Sequence, residues 1–205
     1  MFTLASAALE IGPELFARIE KKYGAPAGER IRSWQQIITA SKNLPEEEKL
    51  KVVNDFFNQL EFVDDLKKWG AEDYWATPLE FIAVNGGDCE DFSIAKYFTL
   101  LEIGVPEEKL RITYVKTLQY NQAHMVLTYF SSPQTTPSVL DNLNPHILLA
   151  TQRKDLLPVY SFNGAGLWLA KSIGSGKSIG SPERLNLWQD LKARMQSKAG
   201  NIHIK

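Results

Sequence analysis

The sequence predicts an α+β fold: a helical N-terminal third, one more helix that starts at the chain's only cysteine, and an antiparallel sheet after it. Three observations carry this. Apolar residues recur at helical spacing through the first third. From "LRITYVKTL" onward the pattern changes to alternation rich in β-branched and aromatic residues. The two patterns are segregated along the chain rather than interleaved, which is the α+β order.

The elements follow in sequence. "GPELFARIEKKYG" opens after Gly12-Pro13 and closes at Gly24, with Leu15, Phe16, Ile19 and Tyr23 on one face. "AGERIRSWQQIITASKNL" turns Ile31, Trp34, Ile37 and Ile38 inward. "PEEEKLKVVNDFFNQLEFVDDLKKWG" reads as a third helix, with Pro45 at its start and three glutamates suited to the positive end of the helix dipole. These stripes are core packing and ask for no cofactor. "TPLEFIAVNGG" leads into a loop, and "DCEDFSIAKYFTLLEIGV" is a helix ended by Gly104 with Pro106 beyond. "LRITYVKTL", "HMVLTYF" and "VLDNL" are strands, and "VYSFNGAGLWLA" is a fourth, bulged at its glycines. The tail, "SIGSGKSIGSPERLNLWQDLKARMQ", reads as a Gly/Ser-rich loop and a final amphipathic helix. One catalytic domain over 1–205 is expected: a helical lobe over 1–70, the cysteine helix and sheet over 71–170, and the loop and last helix over 171–205.

Composition narrows the function. A net charge of −1 gives no bulk attraction to nucleic acid or acidic lipid. No apolar run reaches the roughly 18 residues of a membrane span. One cysteine excludes an internal disulfide and a multi-cysteine zinc site. "MFTLASAALE" has no basic stretch followed by an apolar one, so no signal peptide is expected in this chain. "GSGKS" at 174–178 suggests a phosphate loop, but position 171, where that motif needs glycine, is Lys171. It reads as a connector.

Cys89 follows Gly86-Gly87 at the start of a predicted helix. Free N–H groups and the helix dipole lower a thiol pKa there, and the same N–H groups stabilise an oxyanion on an attacked carbonyl. A cysteine nucleophile also needs a base and a group that orients the base. Of three histidines, His203 lies near the C-terminus and His146 follows a proline in a turn, whereas His124 opens a strand. Asp141, on the next strand, is placed to orient it. Helix N-terminus, strand, next strand is the papain-like order of nucleophile, base and orienter. Taken singly, each residue has a plainer reading: a buried inert thiol, a structural histidine, a turn-forming aspartate. Cys89 N–H is one oxyanion donor; Trp75 or Asn85 is the candidate for the second.

Asp88, Glu90 and Asp91 crowd the thiol and raise its pKa by like-charge repulsion. Helix capping explains one or two of them. Three carboxylates within four residues also form a hard oxygen cluster suited to Ca²⁺, although not an EF-hand.

"GGDCEDFSIAKYFTLLEIGVPEEKLRITYV", followed by "HMVLTYF" and "VLDNL", resembles the bacterial transglutaminase-like cysteine proteases over roughly residues 70–170. The resemblance implies a papain/transglutaminase-like core and a Cys-His-Asp triad on Cys89, His124 and Asp141. It implies calcium dependence, with Asp88, Glu90 and Asp91 as metal ligands. It further implies a periplasmic protease, its signal peptide removed, that cuts a large surface adhesin near its N-terminus and so disperses biofilm. An inner-membrane receptor for cyclic di-GMP would hold it inactive. Transglutaminase-type amide transfer and a non-catalytic calcium-stabilised binding module are the alternatives.

Overall fold

The computed structural model describes residues 11–172 and 175–196. Helices α1 (Pro13–Tyr23), α2 (Ala25–Ser41) and α3 (Glu46–Phe57) come first. A two-residue strand β1 (Glu61–Phe62) and a single turn α4 (Asp65–Lys68) follow. Then come α5 (Pro78–Val84), the two-residue β2 (Gly86–Gly87) and α6 (Cys89–Glu102). The sheet strands are β3 (Leu110–Thr117), β4 (Gln122–Tyr129), β5 (Ser138–Leu140), β6 (Leu148–Leu149), β7 (Leu156–Phe162), β8 (Leu167–Ser172) and β9 (Ser175–Gly180). Helix α7 (Asn186–Gln196) ends the described chain.

The seven strands form one antiparallel sheet in the order β6-β5-β4-β3-β7-β8-β9, while β1 and β2 pair separately and in parallel. This is the α+β arrangement expected. Along β4, Met125, Leu127 and Tyr129 belong to the main core, and Val126 to a small cluster with Val115, Val139 and Leu156. The period-2 alternation therefore feeds two apolar layers.

Helix α6 is buried from Asp91 to Leu100, so it lies inside the molecule rather than on it. Its polar side chains are matched accordingly. Thr99 Oγ1 accepts from Trp34 Nε1 at 2.9 Å. Lys96 Nζ donates to Asn54 Oδ1 and Asn58 Oδ1 at 2.9 and 2.7 Å. Helix α7 is docked by Trp188, 1% exposed, against Tyr97, Phe98 and Phe162. Arg194 then straps it down: Nη1 donates to Glu80 Oε2 and Tyr74 Oη at 2.7 and 2.9 Å, and Nη2 to the Trp75 carbonyl.

Three expectations are corrected. The helix expected to run from Pro45 to Gly70 stops at Phe57, because residues 61–62 are drawn out to pair with Gly86–Gly87. The single bulged strand expected over "VYSFNGAGLWLA" is two strands, β7 and β8. Asn163 turns the chain between them, with its Oδ1 accepting from the N–H groups of Ala165 and Gly166. The Gly/Ser-rich loop contains β9, which pairs with β8 and takes its extended form from that neighbour. Among the described residues, no helix is long and apolar enough to cross a membrane.

Candidate active site

The cysteine is aimed by a short built segment. Thr77 caps α5 reciprocally: Glu80 N–H donates to Thr77 Oγ1 at 3.2 Å, and Thr77 N–H to Glu80 Oε2 at 2.7 Å. The far end of α5 leaves carbonyls that need donors. Arg30 supplies Ile82 and Ala83, each at 2.8 Å, and Lys68 supplies Val84 at 2.7 Å. Asn85 then turns left-handed at φ 58°. A Cβ on Gly86 would come within 2.7 Å of the Glu61 carbonyl, and one on Gly87 within 2.0 Å of Asp91 Oδ2. The glycines let α5, β1 and the acidic group approach closely. Asp88 is the N-cap of α6 without a side-chain capping bond, so Cys89 occupies the first helical position above free N–H groups.

Cys89 and His124 line one cleft of about 850 Å³, walled by Phe62, Trp75, Tyr114, Tyr160 and Leu187. Tyr114 and Tyr160 stack there, with centroids 5.1 Å apart. Of the two candidate second oxyanion donors, Trp75 lines the cleft. Asn85 closes α5 and donates to Glu61 Oε1 at 3.2 Å.

His124 is 4% exposed and lies in register with Val115. Its Nε2 meets Asp141 Oδ1 at 2.8 Å, so the other ring nitrogen, Nδ1, is not taken up by that bond. Asp141 Oδ1 also accepts from Leu143 N–H at 2.9 Å, and Oδ2 from Arg153 Nη2 at 2.7 Å. Burial pushes the Asp141 carboxyl up, but the His124, Leu143 and Arg153 bonds outweigh burial and hold it at about 2. His146 is exposed and lines a different groove, and His203 lies outside the described residues.

The thiol is perturbed in the opposite sense from an activated one. Burial first, then the charges of Glu90 and Asp88, push it well above its ordinary value; the Met125 N–H opposes them. Sγ sits 3.1 Å from Glu90 Oε2.

The acids explain this. Asp88, Glu90 and Asp91 do not close on one another as a single group. They fall into overlapping sets: Asp65 with Asp88 and Asp91, Asp65 with Asp73 and Glu90, and Asp88 with Glu90 and the Cys89 sulfur, the ligand atoms of each set within 4.8 Å of one another. Asp65 Oδ1, Asp88 Oδ1 and Asp91 Oδ2 are buried with no hydrogen-bond partner. Burial, reinforced by neighbouring carboxylates, pushes Asp65 up to about 7 and Asp88 up to about 10. Asp91 is raised as well, by burial against the opposing Ala76 N–H, which donates at 2.7 Å. Buried carboxylate oxygens without donors are the pattern a hard divalent cation satisfies. The residues fit Ca²⁺, and the set is wider than the "DCED" stretch. Asp65 opens the single turn α4 and Asp73 lies in the irregular chain after it; both were missed because neither belongs to a motif. Arg153, on Asp141, was missed for the same reason.

A cysteine at a helix N-terminus, set against a His–Asp pair on an antiparallel sheet, is the plan of the transglutaminase-like cysteine proteases, and the fold and cleft place the protein in that class. More narrowly, the chain belongs to the bacterial transglutaminase-like cysteine proteinase family BTLCP, whose profile matches residues 29–164. Solved structures of LapG from Legionella pneumophila are similar over most of its length. One is 43% identical with a TM-score of 0.78, covering 89% of this chain and 96% of that chain. The EGTA-treated form is 44% identical with a TM-score of 0.79 and the same coverage. The calcium-bound form is 44% identical with a TM-score of 0.77, covering 91% of this chain and all of that one. No curated protein sequence matches the chain.

Proposed function

We propose that the protein is a calcium-dependent endopeptidase that cuts the N-terminal region of a large surface adhesin, and that Cys89, His124 and Asp141 carry the chemistry. The observation that supports this most is that His124, bonded to the buried Asp141, lines the same cleft as Cys89. The likeness to calcium-bound LapG supports the metal. In this reading the protein works in the periplasm as one catalytic domain. Release of the adhesin disperses biofilm, and an inner-membrane cyclic di-GMP receptor holds the protease in check.

The reaction is acyl transfer. The Cys89 thiol gives its proton to His124 Nδ1, and sulfur attacks the peptide carbonyl. The oxyanion is met by the Cys89 N–H at the α6 terminus. The C–N bond breaks, the leaving amine takes the proton from His124, and a thioester remains. Water, deprotonated by His124, releases the new carboxylate and the free thiol. Asp141 keeps the ring oriented throughout. Asp88, Glu90 and Asp91, with Asp65 and Asp73, would hold Ca²⁺, which supplies positive charge against the carboxylates and braces the loop below Cys89.

The test is cleavage of a recombinant adhesin N-terminal fragment by the protein and by Cys89→Ala, each with Ca²⁺ and with EGTA. Cutting only by the unsubstituted protein, and only with Ca²⁺, is expected. Cutting that survives EGTA would remove the metal from the reading. Cutting by Cys89→Ala would remove the nucleophile. A product joined to an added amine would point to amide transfer.

A further inference from the structure

We propose that Arg153 is a positioning residue for this protease, fixing the plane of the Asp141 carboxylate so that His124 is held in its working orientation. The proposal rests on the catalytic assignment above. Arg153 follows a short 3-10 turn at residues 150–152 and is 3% exposed. Its Nη2 reaches Asp141 Oδ2 at 2.7 Å, while the other oxygen of that carboxylate serves His124. A rotation about Cβ–Cγ that breaks the His124 bond also breaks the Arg153 bond, so the guanidinium opposes the motion that would free the ring.

The guanidinium is itself pinned from the solvent side. Asp155, half exposed, takes Nε at 3.0 Å and Nη2 at 2.8 Å. The Asp141 backbone is held separately, by Asn58 Nδ2 on its carbonyl at 2.9 Å. The carboxylate plane is thus held by Arg153 on Oδ2 and by Leu143 N–H on Oδ1, and the main chain by Asn58. Arg153 Nη1 is buried without a partner. A buried guanidinium with unmade bonds is an expensive way to fill space, and an apolar side chain would be cheaper. The feature that an apolar residue lacks is the planar fork joining two carboxylates, which lysine also lacks.

The experiment compares calcium-loaded wild type, Arg153→Met, Arg153→Lys and Asp155→Asn for kcat and KM on the adhesin fragment. In parallel, the low-field proton resonance of the His124 side-chain N–H on Asp141 is recorded in Cys89→Ala with and without each change. Arg153→Met is expected to lower kcat on the order of ten- to a hundredfold, the usual cost of losing an orienting outer partner. KM should be unchanged and the resonance moved or lost, with Arg153→Lys recovering only part of the rate. Unchanged kcat with an unmoved resonance would overturn the proposal. So would a rise in KM alone, or a slower kcat with the resonance in place. Should Arg153→Met fail to fold, Asp155→Asn is read by the same criteria. Should the wild type cut nothing, the catalytic assignment fails, and the resonance still decides whether Arg153 holds the pair.

Discussion

Asp141 serves three donors with two oxygens, and each donor does something different. His124 is the group being oriented, Leu143 N–H ties the carboxylate to its own turn, and Arg153 fixes its plane. Removing the charge while keeping the shape isolates the first of these. Asp141→Asn is expected to fold and to lose activity by on the order of 10⁴, because the amide favours the wrong imidazole tautomer; initial rates on the adhesin fragment measure it. The same carboxyl has a signature in acid. Its folded pKa, about 2, lies below that of the unfolded chain, so its contribution to stability is complete above the ordinary carboxyl value near 4. That contribution is lost as the pH falls from about 4 to about 2. Urea melts across that range should show a loss in the wild type that Asp141→Asn lacks. Parallel curves for the two proteins would mean that the carboxylate is not the stabilising partner.

Among the elements, the loop from α5 to α6 is the most constrained, and Gly87 is its tightest point. Gly87→Ala must push a methyl group against Asp91 Oδ2, so the acidic set loses its shape. Calorimetry should find calcium affinity down by at least about tenfold in Gly87→Ala, with far-ultraviolet circular dichroism unchanged; wild-type affinity would rule out close packing at this glycine. Much of this element, and the meeting of His124 with Asp141, was legible beforehand. Helix α6 has an unbroken apolar pattern ending in Gly104, and β3 and β4 alternate cleanly. What was not legible depends on distant partners. Nothing local breaks a helix at Phe57; the pull comes from Gly86 and Gly87. In "SGKSIG" only Ile179 favours a strand, and the extended form comes from the neighbour it pairs with. Asp65, Asp73 and Arg153 escape because each has meaning only beside residues that the fold, and no motif, brings to it.

For the whole molecule, the acidic group is a stored instability. In metal-stripped protein Asp65 and Asp88 have folded pKa values above those of the unfolded chain, so folding is favoured below the ordinary carboxyl value. That advantage is lost as the pH rises from about 4 to about 7 for Asp65, and on to about 10 for Asp88. Metal-stripped protein is therefore expected to melt at lower temperature as the pH is raised from 5 to 9. Saturating Ca²⁺ should raise the melting temperature and remove that slope, because the bound carboxylates are ionised throughout. The same slope with and without Ca²⁺ would place the ion elsewhere. The Arg194 strap reaches the same region from the opposite side. It holds Tyr74, the Trp75 carbonyl and Glu80, and the next N–H, that of Ala76, is the one that holds Asp91. Residue 194 comes after every other part of the site in chain order, and proteins are made N-terminus first. Until residue 194 has been added, a growing chain therefore holds Cys89 without the brace behind it.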